Sequence, residues 1–144
     1  MGDVISSRAP EPVGPYPHAR RVGDLLFLSG IGPRVRGSSA IPGVTLDANG
    51  DVAAYDFESQ CRQVFENVRM VLEDGGSSWE SIVDVTVYLT NMKADFPTLN
   101  QLYAKAFAGN RPTRTTVEVS RLPTPIAIEL KVIATVGVGH LEPG

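Results

Sequence analysis

Arg114 stands in the run Arg111-Pro112-Thr113-Arg114-Thr115-Thr116-Val117-Glu118-Val119. The run reads as a loop entering a strand with alternating apolar Val117 and Val119. An arginine at that junction is held by the sheet and still points into a cleft. Its planar fork can grip a carboxylate through two parallel hydrogen bonds. A solvated arginine at a strand edge is the ordinary alternative. Glu118 lies on the same strand face, where it could instead fix the arginine fork. Further on, a strand over residues 126–136 presents Ile128, Leu130, Val132 and Ala134 on one face and Glu129 and Lys131 on the other. Glu129 is the second candidate for chemistry. Its plain alternative is a salt bridge to Lys131 or an arginine.

The elements that must position these two groups follow from period and punctuation. Residues 1–13 are rich in proline and small residues and read as an extended arm, ending at Gly14-Pro15-Tyr16-Pro17. Leu25-Leu26-Phe27-Leu28-Ser29-Gly30 reads as a short buried strand stopped by glycine. Residues 33–50 form a long loop with a hairpin signal at Asn49-Gly50. Asp56 is placed to cap a helix whose stripe is Phe57, Cys61, Val64, Phe65, Val68, Val71 and Leu72, ended by Gly75-Gly76. Cys61 falls inside that stripe and reads as a small buried residue rather than a nucleophile. Ser77 with Glu80 suggests a capping box for a turn around Trp79. Val83, Val85, Val87 and Leu89 alternate with polar residues as a clear strand. A second helix is predicted from near Asp95, burying Phe96, Leu99, Leu102, Tyr103, Ala106 and Phe107. Residues 137–144 read as a tail.

Two amphipathic helices packed on one face of a mixed sheet make a two-layer α+β sandwich, one domain over residues 1–144. The other sheet face then needs a cover, and a second copy of the chain is the natural one.

Composition narrows the chemistry. The net charge is −3 and no lysine or arginine block tracks phosphates, so nucleic acid is not the expected partner. No run of about 18 apolar residues occurs, so no membrane span is expected. One cysteine and two distant histidines, His18 and His140, make a zinc site unexpected. No glycine-rich nucleotide loop is present. The expectation is therefore no metal and no cofactor. The single cysteine and the lack of a signal-peptide pattern point to the cytoplasm.

Several segments together resemble the Rid family, the reactive intermediate deaminases or YjgF proteins. They are Gly14-Pro15-Tyr16, Val22-Gly23-Asp24-Leu25-Leu26-Phe27-Leu28-Ser29-Gly30, Asn67-Val68, Asn100 with Tyr103, Pro112-Thr113-Arg114-Thr115, Val117-Glu118-Val119 with Arg121-Leu122-Pro123, and Ile128-Glu129. The resemblance implies a chorismate-mutase-like homotrimer with clefts between subunits, hydrolysing an enamine or imine of a small carboxylate to a ketone and ammonia. It implies Arg114 as the carboxylate anchor and Glu129 beside the hydrolytic water. It implies Tyr16, Ser29 and Asn100 lining the cleft, with backbone groups near Gly30 and Thr116 completing it.

The chain departs from the common pattern at Ile31, Thr116, His18 and Arg20, and its loop from Arg34 to Ala53 is longer. In those traits it is similar to members acting on a six-carbon dienamine with two carboxylates. Two carboxylates call for two cations. Arg114 is one, and Arg20, Arg21, Arg34, Arg36 or His18 is the other. Competing readings are a general scavenger of 2-imino acids, a ligand-binding or chaperone-like trimer, and an RNA-acting protein.

Overall fold

Alternating burial along the longest strands shows how the sheet is built. In the computed structural model, which describes residues 2–137, β6 (Ile82–Leu89) and β8 (Ile128–Thr135) pair antiparallel at the sheet centre. Val85, Val87 and Leu89 on β6 and Leu130, Val132 and Ala134 on β8 are fully buried on one face. The intervening Thr86, Tyr88, Glu129 and Lys131 lie on the other face, half-buried. This is the period-2 signature of a sheet with one face on the core.

Around this centre the sheet runs in the order β1-β2-β3-β8-β6-β7, with β1 at Asp3–Val4, β2 at Ala19–Val22, β3 at Leu25–Leu28 and β7 at Thr113–Glu118. Every pairing is antiparallel except β6 with β7, which is parallel. A parallel neighbour requires a crossover. That crossover is α2 (Met92–Ala106). A separate hairpin, β4 (Val44–Leu46) with β5 (Val52–Tyr55), turns at Gly50, whose φ of 84° suits glycine.

Helix α1 (Phe57–Asp74) lays Cys61, Val64, Val68, Val71 and Leu72, all fully buried, against the apolar sheet face. Leu99 and Leu102 of α2 join the same core. Trp79, Phe65, Tyr103 and Phe107 close its end as a cluster of edge-on and stacked rings. Burial pushes the Cys61 thiol up to about 12, as befits a core residue.

The expected α+β layering is present, with several local corrections. Strand β1 lies where an arm was expected; its Asp3 and Val4 pair with Arg20 and Ala19 of β2. Helix α2 begins at Met92, not near Asp95. Asn91 Oδ1 accepts the Ala94 N–H at 3.1 Å, and Glu118 Oε1 accepts the Met92 N–H at 2.8 Å. Glu118 thus caps a helix and does not brace the arginine. Phe96 is 36 % exposed rather than buried. Asp56 occupies the N-cap of α1, but its carboxylate takes the Ser59 hydroxyl and no backbone N–H. Ser78, not Ser77, precedes the short turn at Trp79–Ser81, and the Ser77 hydroxyl donates to the Thr135 carbonyl. Of the expected tail, residues 138–144 lie outside the described residues.

Candidate active site

A bulge places the first half of the site. On β3, Phe27 lies opposite Ile133 of β8, and the next bridge joins Ile31 to Leu130. Four residues on one strand thus span three on the other, so the extra one bulges out around Ser29-Gly30. The bulge takes the Leu28 carbonyl out of the ladder, and it accepts from the Lys131 ammonium instead. Ser29 keeps its place beside β2, its N–H donating to the His18 carbonyl at 2.9 Å and its hydroxyl to the Pro17 carbonyl at 2.7 Å. Glu129 lies against the bulge. A Cβ on Gly30 would collide with the Glu129 carboxylate, so a larger residue there would push that side chain out of its present place.

The result is a cavity of about 110 Å³ lined by Tyr16, His18, Ser29, Gly30, Arg34 and Glu129, with Pro123, Thr124 and Ile126 among its other walls. Burial raises the Glu129 pKa above the usual carboxylate range, because the ionised form loses solvation there. A half-buried carboxylate with a raised pKa is suited to exchanging protons with a bound water.

Arg114 lies elsewhere. It pairs with Val85 across β6–β7, on the helix side of the sheet, whereas Glu129 pairs with Tyr88 on the opposite face. Its Nη2 donates to Asn100 Oδ1 at 2.8 Å. The guanidinium also lies 4.7 Å from the Tyr103 ring centroid and 5.7 Å from that of Phe96. Such cation–π contacts hold an arginine in place and leave part of its fork open. Thr116, two residues along the same strand face, is half-buried. Arg114 borders a wide concavity of about 510 Å³ with Tyr103, Phe107, Asn110 and Arg111.

The expected site residues therefore fall into separate places within one chain. Tyr16, Ser29, Gly30 and Glu129 share a cavity. Arg114, Asn100 and Thr116 lie at the β7 edge on the other face. Arg20 is in neither group; it is exposed beside Gly2, Arg21, Val22 and Gly23 on a third concavity. Among the other cations considered, Arg36 is spent on the Ser6 and Ala9 carbonyls. Arg21 donates to the Gly23 carbonyl. His18, 3 % exposed, accepts the Ser6 N–H at Nδ1 and donates from Nε2 to the Pro10 carbonyl. A ring that accepts at one nitrogen and donates at the other is neutral, so it offers no charge. Among the described residues lining the Glu129 cavity, Arg34 is the one arginine or lysine.

Two supporting residues had no role assigned from sequence, although Asn67 was among those carrying the resemblance. The Asn67 amide, fully buried, donates to the carbonyls of Gly32 and Arg34 at 2.8 and 2.7 Å. Gln60 Oε1 accepts the Ala127 N–H at 2.8 Å, two residues before Glu129. Both lie seven apart on the apolar stripe of α1, and a polar side chain at a core position was the available signal. Among the described residues, no three His, Cys, Asp or Glu side chains are grouped to hold a metal ion. No helix among them is long and apolar enough to cross a membrane.

Residues 6–136 match the family model described as endoribonuclease L-PSP. A RutC family protein of Pyrococcus horikoshii is 37 % identical over 134 residues, covering 91 % of this chain and 94 % of that protein. A 2-iminobutanoate/2-iminopropanoate deaminase of Dermatophagoides farinae is 32 % identical over 134 residues, covering 92 % and 94 %. A solved structure of a Rid family protein, YyfA of Yersinia pestis, superposes with a TM-score of 0.77 at 35 % identity, covering 94 % of this chain and all of that one.

Proposed function

The chain belongs to the endoribonuclease L-PSP family, that of the Rid and RutC proteins, and we propose that it hydrolyses the enamine or imine of a small carboxylic acid to the oxo acid and ammonia. The reading is carried by the half-buried Glu129, seated by the glycine bulge in a cavity with Tyr16 and Ser29. A relative named as a 2-iminobutanoate/2-iminopropanoate deaminase supports it. The net charge of −3 favours a small acid handled locally over an RNA chain.

The chemistry is balanced without further reagents. An enamine first moves its N–H proton to carbon and becomes an imine. Water then attacks the C=N carbon, and Glu129 takes a proton from that water as the C–O bond forms. Glu129 returns that proton to nitrogen, giving a carbinolamine. It then carries the carbinolamine's hydroxyl proton to the same nitrogen, and the adduct collapses to C=O as ammonia leaves. Such acid–base help contributes roughly 10²- to 10⁴-fold. Arg114 holds the carboxylate adjoining the reacting carbon and draws electron density from it. Tyr16 and Ser29 orient substrate and water.

Arg114 and Glu129 point to opposite faces of one sheet, so one small ligand meets both only if two copies contribute. We place the site between subunits of a homotrimer, Arg114 coming from one copy and the Glu129 cavity from the next. The proposed substrate is 2-aminomuconate, converted to 4-oxalocrotonate in aromatic degradation in the cytoplasm, and no metal or cofactor is required. A general role on 2-imino acids is the second reading, favoured by the 2-iminobutanoate relative.

Ammonia release from enzymatically generated 2-aminomuconate, measured beside 2-iminobutyrate, tests this. Rapid turnover of the first is expected. Turnover of only the second moves the function to the scavenger, and turnover of neither removes the deaminase. Arg114→Ala is expected to abolish deamination while the assembly keeps its mass; unchanged activity removes the anchor.

A further inference from the structure

The Glu129 cavity contains a cation for which the reaction as written has no use. We propose that Arg34 binds a second carboxylate, at the far end of the substrate from the reacting carbon, and so selects dicarboxylic enamines and imines over monocarboxylic ones. The inference rests on the deaminase reading of the same cavity and adds the residue that sets its substrate class.

Four observations support it. Arg34 lines the cavity together with Glu129, Ser29 and Tyr16. Its backbone is fixed, since its carbonyl accepts from the buried Asn67 amide at 2.7 Å. Its side chain is fixed as well, because Nη2 donates to the Glu11 carbonyl at 2.5 Å. Glu11 is exposed and lies between the lining residues Pro10 and Pro12, so the guanidinium sits at the rim of the cavity, where a carboxylate can reach it. Finally, among the described residues no carboxylate lies within salt-bridge distance of Arg34. Arg8, Arg36, Arg62 and Arg69 each have such a partner. One of the five N–H donors of Arg34 is used on Glu11, and the fork keeps others for a ligand.

The arrangement also suits an acid with two charged ends. Arg34 and Glu129 lie in one chain, and Arg114 reaches the cavity from a neighbouring copy. A substrate carboxylate held at each end by a guanidinium leaves the C=N carbon between them, near Glu129. A monocarboxylate would satisfy Arg114 and leave Arg34 unpaired, which is how a site built for two charges discriminates against one.

The test is a split of kinetic constants. In Arg34→Ala, KM for 2-aminomuconate should rise about 10- to 100-fold, the loss expected for a charged hydrogen-bonded pair, with kcat changed far less. The loss in kcat/KM for 2-iminobutyrate should be at least about tenfold smaller. Equal losses on both substrates would overturn the proposal. Arg34→Gln guards against a folding defect, because it keeps a long polar side chain and the Arg34 backbone carbonyl held by Asn67 while the charge is gone; it should reproduce the selective loss. If the wild-type protein releases ammonia from neither substrate, the deaminase reading fails. The Arg34 assignment is then decided by calorimetry with the unreactive diacid cis,cis-muconate. Binding to the wild type that weakens about tenfold or more in Arg34→Gln supports it. Equal binding to both, or none to the wild type, refutes it.

Discussion

At the scale of single residues, the site depends on what burial does to one carboxylate. Desolvation raises the Glu129 pKa, so ionising it in the folded chain costs more than in the unfolded one. The sign follows from proton counts. In the window between the ordinary glutamate value and the raised one, the folded state holds more protons, so stability falls as pH rises through it. Glu129→Gln should therefore raise Tm at neutral pH, with the gain vanishing in acid below the ordinary glutamate range. The same variant should lose roughly 10²- to 10⁴-fold in kcat. It should also lose the acid limb of the pH–rate profile, which in the wild type lies above the usual carboxylate range. A slower, more stable variant is the pattern of a residue kept for function against the preference of the fold. Equal rates and equal melting would make Glu129 a structural group.

At the scale of elements, α1 does more than cover the sheet. Through Asn67 it ties down the strap that carries Gly32 and Arg34, and through Gln60 it ties down the entry to β8. Asn67→Ala removes the donor for two carbonyls and should cost about 2–4 kcal/mol. The change should appear as a lower urea midpoint with an unchanged m-value. A midpoint within error of the wild type would mean the strap is held by other contacts. The start of α2 shows how local signals mislead. Pro97 fits the first turn of a helix beginning near Asp95, yet the helix starts at Met92. Asn91 supplies one cap locally, and Glu118 supplies another from β7, 26 residues away in sequence. The second contact is tertiary and leaves no mark in the α2 sequence.

At the scale of the whole molecule, the open face of the sheet raises a geometric question. Arg114 and Glu129 point from opposite faces, and β7 is an edge strand. If the catalytic pair forms between copies, two inactive variants should rescue each other. Coexpressed Arg114→Ala and Glu129→Gln chains, mixed equally at random, leave both groups intact at about one interface in four of a cyclic assembly. About a quarter of wild-type activity is expected in the mixed preparation, with the mass of a trimer by sedimentation. Activity no higher than that of the single variants, in well-mixed assemblies, would place both groups within one chain's own site.

How much of this was legible in the sequence follows from the range of the interactions. Period and punctuation alone determined α1, β3, β6 and β8, the faces of Glu129 and Lys131, and the buried state of Cys61, because alternation and stripes are local records of burial. Residue type and strand position marked Arg114 and Glu129 as the residues to watch, and the resemblance to the Rid family added Tyr16, Ser29 and Gly30. Tertiary structure decided the rest: that Ser29-Gly30 is a bulge seating Glu129, that Arg34 and not Arg20 lines the same cavity, and that Arg114 lies on the other side of the sheet. These facts depend on register between strands distant in sequence and on which N–H or carbonyl a side chain meets across the core. Composition and spacing do not encode such meetings, since only closure of the whole sheet brings the partners together.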